Sequence, residues 1–297
     1  MSPIAGDSFW NAMMAASASV NQVTIDGVET RVVVAGAAHR ESGIVVLLHG
    51  TSGHLESFIY NLAPLARSAM VIAYDLPWHG MSGRPDRPYE IDDYERHLWT
   101  LADVLGLPRF DVVGHSMGAW IAARAALHHP ERVRRTVLIG AGGAEGATYP
   151  GPGTMHGHLS GELTEELVRR RLSFASGSKH AVPDELVHCR LAHYQRGDWA
   201  AEVEAFTYQR NESVWNRNVL SEQEWGKIAG PVLLIWGSED RVVPPQIGIQ
   251  LARWIPGARL ELIAGAGHLP QFEAPERVSQ LLVEFFAEPE QQVIPSA

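Results

Sequence analysis

The chain of 297 residues is long enough for one large α/β domain or for two domains of ordinary size. Its hydrophobic share of 45% and its charged share of 20% are typical of a globular protein and argue against wholesale disorder. Basic side chains number 24 against 34 acidic ones, and the net charge of −10 disfavours roles that require binding to nucleic acid or to an anionic membrane surface.

The N-terminal segment and the single cysteine bear on the cellular location. No apolar run approaches the roughly 20 residues that span a bilayer, and no Lys or Arg precedes the small apolar residues of the first segment. We therefore predict an N-terminal arm over residues 1–22, no signal peptide and a cytoplasmic protein. Cys189 has no second cysteine with which to form an internal disulfide or a cysteine metal cluster.

Short apolar runs that end at turn residues predict the strands of a sheet. Most of them are rich in Val, Ile and Leu without polar alternation, which is typical of strands buried on both faces. The runs are Thr30–Ala35, Ile44–Leu48, Met70–Tyr74, Phe110–Val113, Thr136–Ile139, Val232–Trp236 and Arg259–Ile263. Helix-length stretches lie between several of these runs or after them, at Tyr94–Leu105, Ala119–His129 and Pro275–Phe286. This alternation predicts a mostly parallel, doubly wound α/β sheet.

The alternation of strands and helices breaks in the middle of the chain. Gly142–Gly161 is crowded with Gly, Pro and His, which favours a flexible connection. Three helical stretches follow with no strand between them, at Leu163–Phe174, Asp184–Arg196 and Asp198–Arg210. We therefore predict a core of residues 23–141 and 230–297, with a helical cap of residues 142–229 inserted after the sixth core strand.

The strongest local motif is Gly114-His115-Ser116-Met117-Gly118, between a predicted strand and a predicted helix. A Gly-x-Ser-x-Gly sequence at such a turn holds its serine in a strained backbone conformation, and the glycines prevent clashes there. The turn exposes the serine oxygen near a helix N-terminus, where negative charge is favoured. Ser116 is therefore the predicted nucleophile.

A serine nucleophile needs a base to take its proton and an acid to orient that base. For this sheet order the acid precedes the histidine in the sequence, and both follow strands. Asp240 follows the strand Val232–Trp236, and His268 follows the strand Arg259–Ile263. These two residues are the predicted acid and base, with Glu239 and Glu145 as alternative acids.

Acyl chemistry also requires hydrogen-bond donors for a developing oxyanion. One predicted donor is the backbone N–H of Met117, directly after the nucleophile. The other is the N–H of Thr51, in the loop after Ile44–Leu48, with Gly50 or Ser52 as alternatives. We assign His49 and Asp75 structural roles in organising turns.

The remaining histidines give no metal signature. His128 and His129 end a helix, where imidazole can satisfy carbonyl groups, and His156 and His158 lie in the glycine-rich connection. No group of His, Asp and Glu has a recognisable metal-ligand spacing. The sequence therefore predicts neither a metal nor a cofactor.

From about Ile44 to Phe286 the chain resembles the α/β-hydrolase superfamily. Within it, the chain is most similar to the meta-cleavage-product hydrolases, serine enzymes that hydrolyse carbon–carbon bonds in ring-opened aromatic catabolites. The motifs that carry the resemblance are His49-Gly50-Thr51-Ser52-Gly53, Ser116-Met117-Gly118, Trp236-Gly-Ser-Glu-Asp-Arg-Val-Val-Pro244, and Gly267-His268-x-x-Gln271-x-Glu273 followed by Pro275-Glu276.

The resemblance also implies substrate-binding residues. Asp184–Arg190 is similar to the family segment whose arginine binds the substrate carboxylate, so Arg190 is the implied anchor. The family commonly has Asn before the nucleophile and Trp after the catalytic histidine, whereas this chain has His115 and Leu269 at those positions near the substrate. Aromatic residues that could line the pocket are Trp215, Trp120, Phe174, Trp199 and Phe206.

The activity implied by the resemblance is hydrolysis of a 2-hydroxy-6-oxo-2,4-dienoate, a small-molecule substrate, without a nucleic-acid or membrane partner. One alternative is a carboxylesterase or lactonase with the same three residues. Another is a ligand-binding receptor on the same fold. Assembly into a homo-oligomer is left open.

Overall fold

The computed structural model describes residues 8–144 and 161–289. Within these ranges one sheet contains eight strands: β1 (Ser19–Ile25), β2 (Val28–Ala35), β3 (Ile44–Leu48), β4 (Met70–Tyr74), β5 (Phe110–His115), β6 (Val133–Ile139), β7 (Val232–Gly237) and β8 (Arg259–Ile263). The α-helices are α1 (Phe9–Ala15), α2 (Ile59–Ala66), α3 (Ile91–Val104), α4 (Met117–His128), α5 (Glu165–Ala175), α6 (Asp184–Tyr194), α7 (Trp199–Thr207), α8 (Glu212–Asn218), α9 (Glu222–Trp225), α10 (Pro245–Trp254), α11 (Pro270–Glu273) and α12 (Pro275–Ala287).

The strands are arranged in the order β1-β2-β4-β3-β5-β6-β7-β8. β1 pairs antiparallel with β2, and β2 pairs antiparallel with β4, whereas all pairs from β4 to β8 are parallel. The predicted mostly parallel, doubly wound sheet is therefore confirmed. The chain changes its winding direction between β3 and β5, and ligands of open α/β sheets bind outside the strand ends at such a point.

Two apolar layers cover the sheet. Every residue of β3, β4 and β5 is buried, which explains why these strands are apolar without alternation. One layer contains α3, α4 and α10, and the other contains α1, α2, α12 and apolar residues of α5 and α6. Most of the buried residues of α4 are alanines, whose small side chains let this helix lie close to the sheet.

The predicted cap insertion after the sixth strand is confirmed. Helices α5, α6, α7 and α8 follow β6 in the chain and precede β7. Thr164 caps α5 by accepting a hydrogen bond from the N–H of Leu167 at 3.1 Å, and α6 begins directly after Pro183. Of the residues discussed above, Glu145, His156 and His158 lie outside the described ranges.

The N-terminal region contains more regular structure than the sequence analysis assigned. α1 lies inside the predicted arm, and β1 begins there and pairs with β2 at the edge of the sheet. The prediction missed β1 because most of its side chains are exposed, Val20 among them, so the strand has no apolar run. None of the helices in the described ranges has the length and apolar character that crossing a bilayer requires.

Candidate active site

Ser116 occupies a sharp turn between β5 and α4. Its backbone has φ 54° and ψ −112°, a conformation that costs a non-glycine residue roughly 1–3 kcal/mol. A Cβ at Gly114 would lie 2.2 Å from the carbonyl oxygen of Gly118, and a Cβ at Gly118 would lie 2.2 Å from that of Leu48. Gly114 is therefore required for the first turn of α4 to pack against the end of β5, and Gly118 for that turn to pack against the end of β3.

Asp240 and His268 form a buried hydrogen-bonded pair. The imidazole Nδ1 lies 2.7 Å from Oδ2 of Asp240, while Oδ1 accepts hydrogen bonds from the N–H groups of Val242 and Val243 at 2.8 and 2.9 Å. A carboxylate only accepts, so Nδ1 of His268 donates this hydrogen bond, and in the neutral imidazole Nε2 is then the atom that can accept a proton. Nε2 is buried and has no hydrogen-bond partner among the described residues.

Glu273 fixes the loop that carries His268. Its carboxylate accepts hydrogen bonds from the N–H groups of Gly177, Gly267 and Leu269 at 2.7, 2.9 and 3.0 Å. The N–H of His268 donates to the carbonyl of Ala175 at 2.6 Å, at the end of α5. The position of the histidine therefore depends on contacts between the core and the cap.

The loop after β3 lies against the Ser116 turn. A Cβ at Gly50 would lie 2.9 Å from the Cβ of Ser116, and Thr51 lines the same cavity as Ser116. Ser52 has φ 56°, and two cap side chains hold it: Nη2 of Arg171 donates to its Oγ at 2.8 Å, and the Tyr194 hydroxyl donates to its carbonyl at 2.7 Å. Met117, the other candidate oxyanion donor, is the first residue of α4.

His49 and Asp75 organise the surrounding turns, as predicted. Nδ1 of His49 donates to the carbonyl of Gly50 at 2.8 Å, and Nε2 accepts from the N–H of Leu76 at 3.0 Å. Burial lowers the pKa of His49 to about 4, so this imidazole is neutral. Asp75 accepts hydrogen bonds from the N–H groups of Leu55 and Met81 at 2.8 and 2.7 Å.

One cavity brings most of the predicted site residues together. Its lining includes Thr51, Ser116, His268 and three predicted substrate contacts, His115, Arg190 and Leu269. The structure does not bring Trp215 to this cavity. Its ring, on α8, packs edge-on against Trp120 with the centroids 5.1 Å apart, because α8 lies over α4 on the other face of the sheet.

His115 contacts the loop of the candidate base directly. Its Nε2 donates to the carbonyl oxygen of His268 at 2.7 Å, and the centroids of the two rings are 4.7 Å apart. Burial, and next the nearby His268, hold the pKa of His115 well below its ordinary value. His115 therefore presents a neutral ring to the cavity and supports the backbone of His268.

Two buried arginines line this cavity. Arg190, on α6, is 8% exposed, and Arg171, on α5, is 3% exposed. Sequence analysis missed Arg171, although a signal existed. It lies three residues after Val168 and directly before Leu172, so an arginine stands on the apolar face of α5.

A second cluster of polar side chains joins the cap to the core beside Arg31. Candidate ligand atoms of His54, Glu56, Cys189 and His193 lie within 4.8 Å of one another. Both carboxylate oxygens of Glu56 already accept from the guanidinium of Arg31 at 2.8 Å, and Oε2 also lies 2.8 Å from Nδ1 of His54. We therefore interpret this cluster as a buried ion-pair network.

Comparison with known proteins identifies the family. Residues 45–281 match the model of the alpha/beta hydrolase family. The chain belongs to this family. It is 32% identical over 224 residues to a 2-hydroxymuconate semialdehyde hydrolase of Pseudomonas putida, an alignment that covers 75% of this chain and 79% of the relative.

Two further relatives support the same group of hydrolases. One is a 2-hydroxy-6-oxononadienedioate/2-hydroxy-6-oxononatrienedioate hydrolase of Comamonas testosteroni. It is 28% identical over 263 residues, an alignment that covers 83% of this chain and 88% of the relative. A crystallised meta-cleavage product hydrolase from Pseudomonas fluorescens IP01 superposes with a TM-score of 0.78 at 26% identity, covering 90% of this chain and 97% of that one. The predicted resemblance to the meta-cleavage-product hydrolases is confirmed, and the protein is a hydrolase.

Proposed function

We propose that this hydrolase cleaves a carbon–carbon bond in a 2-hydroxy-6-oxo-2,4-dienoate-type ring-cleavage product. Ser116 is the nucleophile, His268 the general base, Asp240 the residue that orients the imidazole, and Arg190 the anchor for the substrate carboxylate. The observation that carries the proposal is the placement of buried Arg190 in the same cavity as Ser116 and His268. An acidic substrate needs a cationic anchor there, whereas a neutral ester does not.

The proposed reaction begins with the substrate in its keto form, after a proton has been added to the carbon chain next to the remote carbonyl. Nε2 of His268 takes the proton of Ser116 as the serine oxygen attacks that carbonyl carbon. The N–H groups of Thr51 and Met117 stabilise the tetrahedral oxyanion, where loss of one such donor costs about 3 kcal/mol. The carbon–carbon bond then breaks, its electron pair leaves with the dienoate fragment, and the imidazolium of His268 gives its proton to that fragment and is again a neutral base.

The second half of the reaction releases the acyl group. Water, deprotonated by His268, attacks the ester of Ser116, and the proton returns to the serine oxygen as the acid leaves. Asp240 stabilises the imidazolium that forms in each half, because its carboxylate lies 2.7 Å from Nδ1. Neither half of the reaction oxidises or reduces the protein.

The decisive experiment is the variant Ser116→Ala. We expect kcat for a yellow ring-fission dienoate to fall by about 10⁴-fold or more, because the remaining groups cannot form the acyl intermediate. The decay of dienoate absorbance measures turnover, and a panel of simple esters tests the alternative activity. Ser173→Ala, on the exposed face of α5, is the matched control and should keep wild-type activity. Substantial turnover by pure Ser116→Ala protein would refute the nucleophile.

Arg190→Ala separates an acid-binding hydrolase from an ordinary esterase. We expect KM for the acidic dienoate to rise by about tenfold or more, since a charged hydrogen-bonding partner of the carboxylate is lost. KM for a neutral p-nitrophenyl ester should change little. Steady-state kinetics with both substrates measures the difference, and equal effects on the two would remove the anchor role.

A further inference from the structure

The cap contributes a second cation to the cavity beside Arg190. Only 3% of Arg171 is exposed to solvent, and its side chain faces Ser52 and Tyr194. Both partners are neutral: the Ser52 Oγ lies 2.8 Å from Nη2, and the Tyr194 hydroxyl lies 3.3 Å from Nη1. The ring of Tyr194 also lies under the guanidinium, 5.9 Å from centroid to Cζ.

No carboxylate of the described residues forms an ion pair with Arg171 or with Arg190. The Nε atoms of both arginines are buried, and neither has a hydrogen-bond partner among the residues that the structure describes. Burial lowers the pKa of Arg171, and the neighbouring charge of Arg190 lowers it further, so the two guanidinium groups lie within electrostatic reach of each other. Uncompensated buried charge is expensive, and native proteins normally pair it.

The nearby carboxylates are already committed to another arginine. Arg31 lies 2.8 Å from Glu56 and 2.7 Å from Asp75, and its charge offsets one of these two negative charges. His49, His54 and His115 have lowered pKa values through burial and are neutral. Neither Glu56 nor Asp75 forms an ion pair with Arg171 or Arg190, so the two arginines of the cavity have no direct counter-charge among the described residues, and a ligand with two negative charges can pair with both.

We propose that Arg171 is a specificity-determining residue that, together with Arg190, selects a substrate carrying two negative charges over one carrying a single charge. This inference rests on the proposed function for the identity of the first charge, the carboxylate bound by Arg190. The second charge has two chemical sources, a second carboxylate or the ionised 2-hydroxyl of the dienoate. Both are oxygen anions that a guanidinium binds with paired N–H donors.

The test measures binding rather than turnover, in Ser116→Ala protein. Titration calorimetry compares adipate with hexanoate, which have six carbons and differ in their number of carboxylates. A second pair compares a 2-hydroxy-6-oxo-2,4-dienoate, whose 6-carbonyl makes the conjugated 2-hydroxyl acidic, with its 2-deoxy analogue. We expect Arg171→Gln to weaken the doubly charged member of at least one pair by about tenfold or more and the singly charged member by less than about threefold.

Three variants separate charge from structure. Arg170→Gln removes an exposed arginine one position away on α5 and should leave every Kd unchanged. Arg171→Lys keeps the charge and should retain part of the preference for the dianion. Ser52→Ala removes a hydrogen-bond partner of Arg171 but keeps the charge, so the preference should persist.

Each outcome decides for or against the inference. A preference lost only for adipate identifies a second carboxylate, and one lost only for the 2-hydroxydienoate identifies the ionised hydroxyl. Equal weakening of both members in both pairs, or a Ser52→Ala effect as large as that of Arg171→Gln, would overturn the selective role. Because turnover is not measured, loss of the dianion preference and failure of the proposed C–C hydrolysis are separate results.

Discussion

Two arginine sites with little solvent exposure lie between the cap and the core, and their surroundings differ. Arg31 forms a fork-to-fork pair with Glu56 and a further ion pair with Asp75. Burial alone would lower the pKa of Arg31, but the two carboxylates outweigh burial and raise it. Arg171 has only neutral hydrogen-bond partners among the described residues, and its pKa is lowered.

The difference distinguishes an arginine that stabilises the fold from one that is available to a ligand. At the Arg31 site the protein supplies its own counter-charges, so removal of one member leaves the others buried without compensation. At the Arg171 site none of the described residues supplies a negative counter-charge. A bound anion can therefore supply it. We therefore expect loss of the arginine to lower the unfolding free energy much more at the Arg31 site than at the Arg171 site.

The largest expected effect is at the compensated site. Arg31→Gln should lower the free energy of unfolding by about 3–5 kcal/mol, because the buried Asp75 and the part-buried Glu56 would lose the cation that pairs with both. Urea denaturation followed by circular dichroism measures the change. Arg277→Gln breaks the exposed ion pair with Glu261 and should cost less than about 1 kcal/mol. Similar costs for the two variants would contradict the contrast.

An intermediate effect concerns pH at the same site. Burial, which outweighs the hydrogen bond that His54 donates to Glu56, lowers the pKa of His54 from 6.5 to about 3. Between pH 3 and 6.5 the unfolded chain therefore binds a proton at His54 that the folded protein does not bind. The contribution of neutral His54 to the unfolding free energy is complete above pH 6.5 and is lost as the pH falls toward 3. His54→Gln should reduce the slope of unfolding free energy against pH, by up to about 1.4 kcal/mol per pH unit.

The pH prediction is tested by urea denaturation at several values between pH 4.5 and 6.5, where His54 is neutral in the folded state. His188→Gln is the matched control, because its imidazole on α6 is 60% exposed and its removal should leave the slope close to that of the wild type. A slope for His54→Gln equal to that of the wild type would show that His54 is not held neutral by burial.

The smallest expected effect is at the uncompensated site. Arg171→Met replaces a buried charge with an apolar side chain and loses two hydrogen bonds to neutral groups, each worth about 1 kcal/mol. Relief of the desolvation cost offsets this loss, so the unfolding free energy should stay within about 1 kcal/mol of the wild type or rise. A loss as large as that for Arg31→Gln would show that Arg171 has a counter-charge within the protein.

The positions of the core site residues were predictable because parallel strands end at one edge of a sheet. Ser116 directly follows β5, and Asp240 and His268 lie in the short loops after β7 and β8, so local apolar runs were sufficient to place them. The need for glycine at positions 114 and 118 could be predicted from the sterics of the turn. The structure adds the reason, because a Cβ at either position would lie 2.2 Å from a backbone carbonyl oxygen. The edge strand β1 was missed because its exposed residues carry no apolar pattern.

The cap could not be predicted to the same depth, because its contacts with the core join residues far apart in the sequence. Arg171 faces Ser52 and Glu273 holds Gly177, contacts that no local spacing indicates. Trp215 was assigned to the pocket by residue type alone, and packing of α8 on α4 placed it elsewhere. The local sequence determines the order of strands and turns. Which buried charges have a counter-charge depends on the tertiary structure, because it brings side chains that are distant in the sequence into one interior of low dielectric constant.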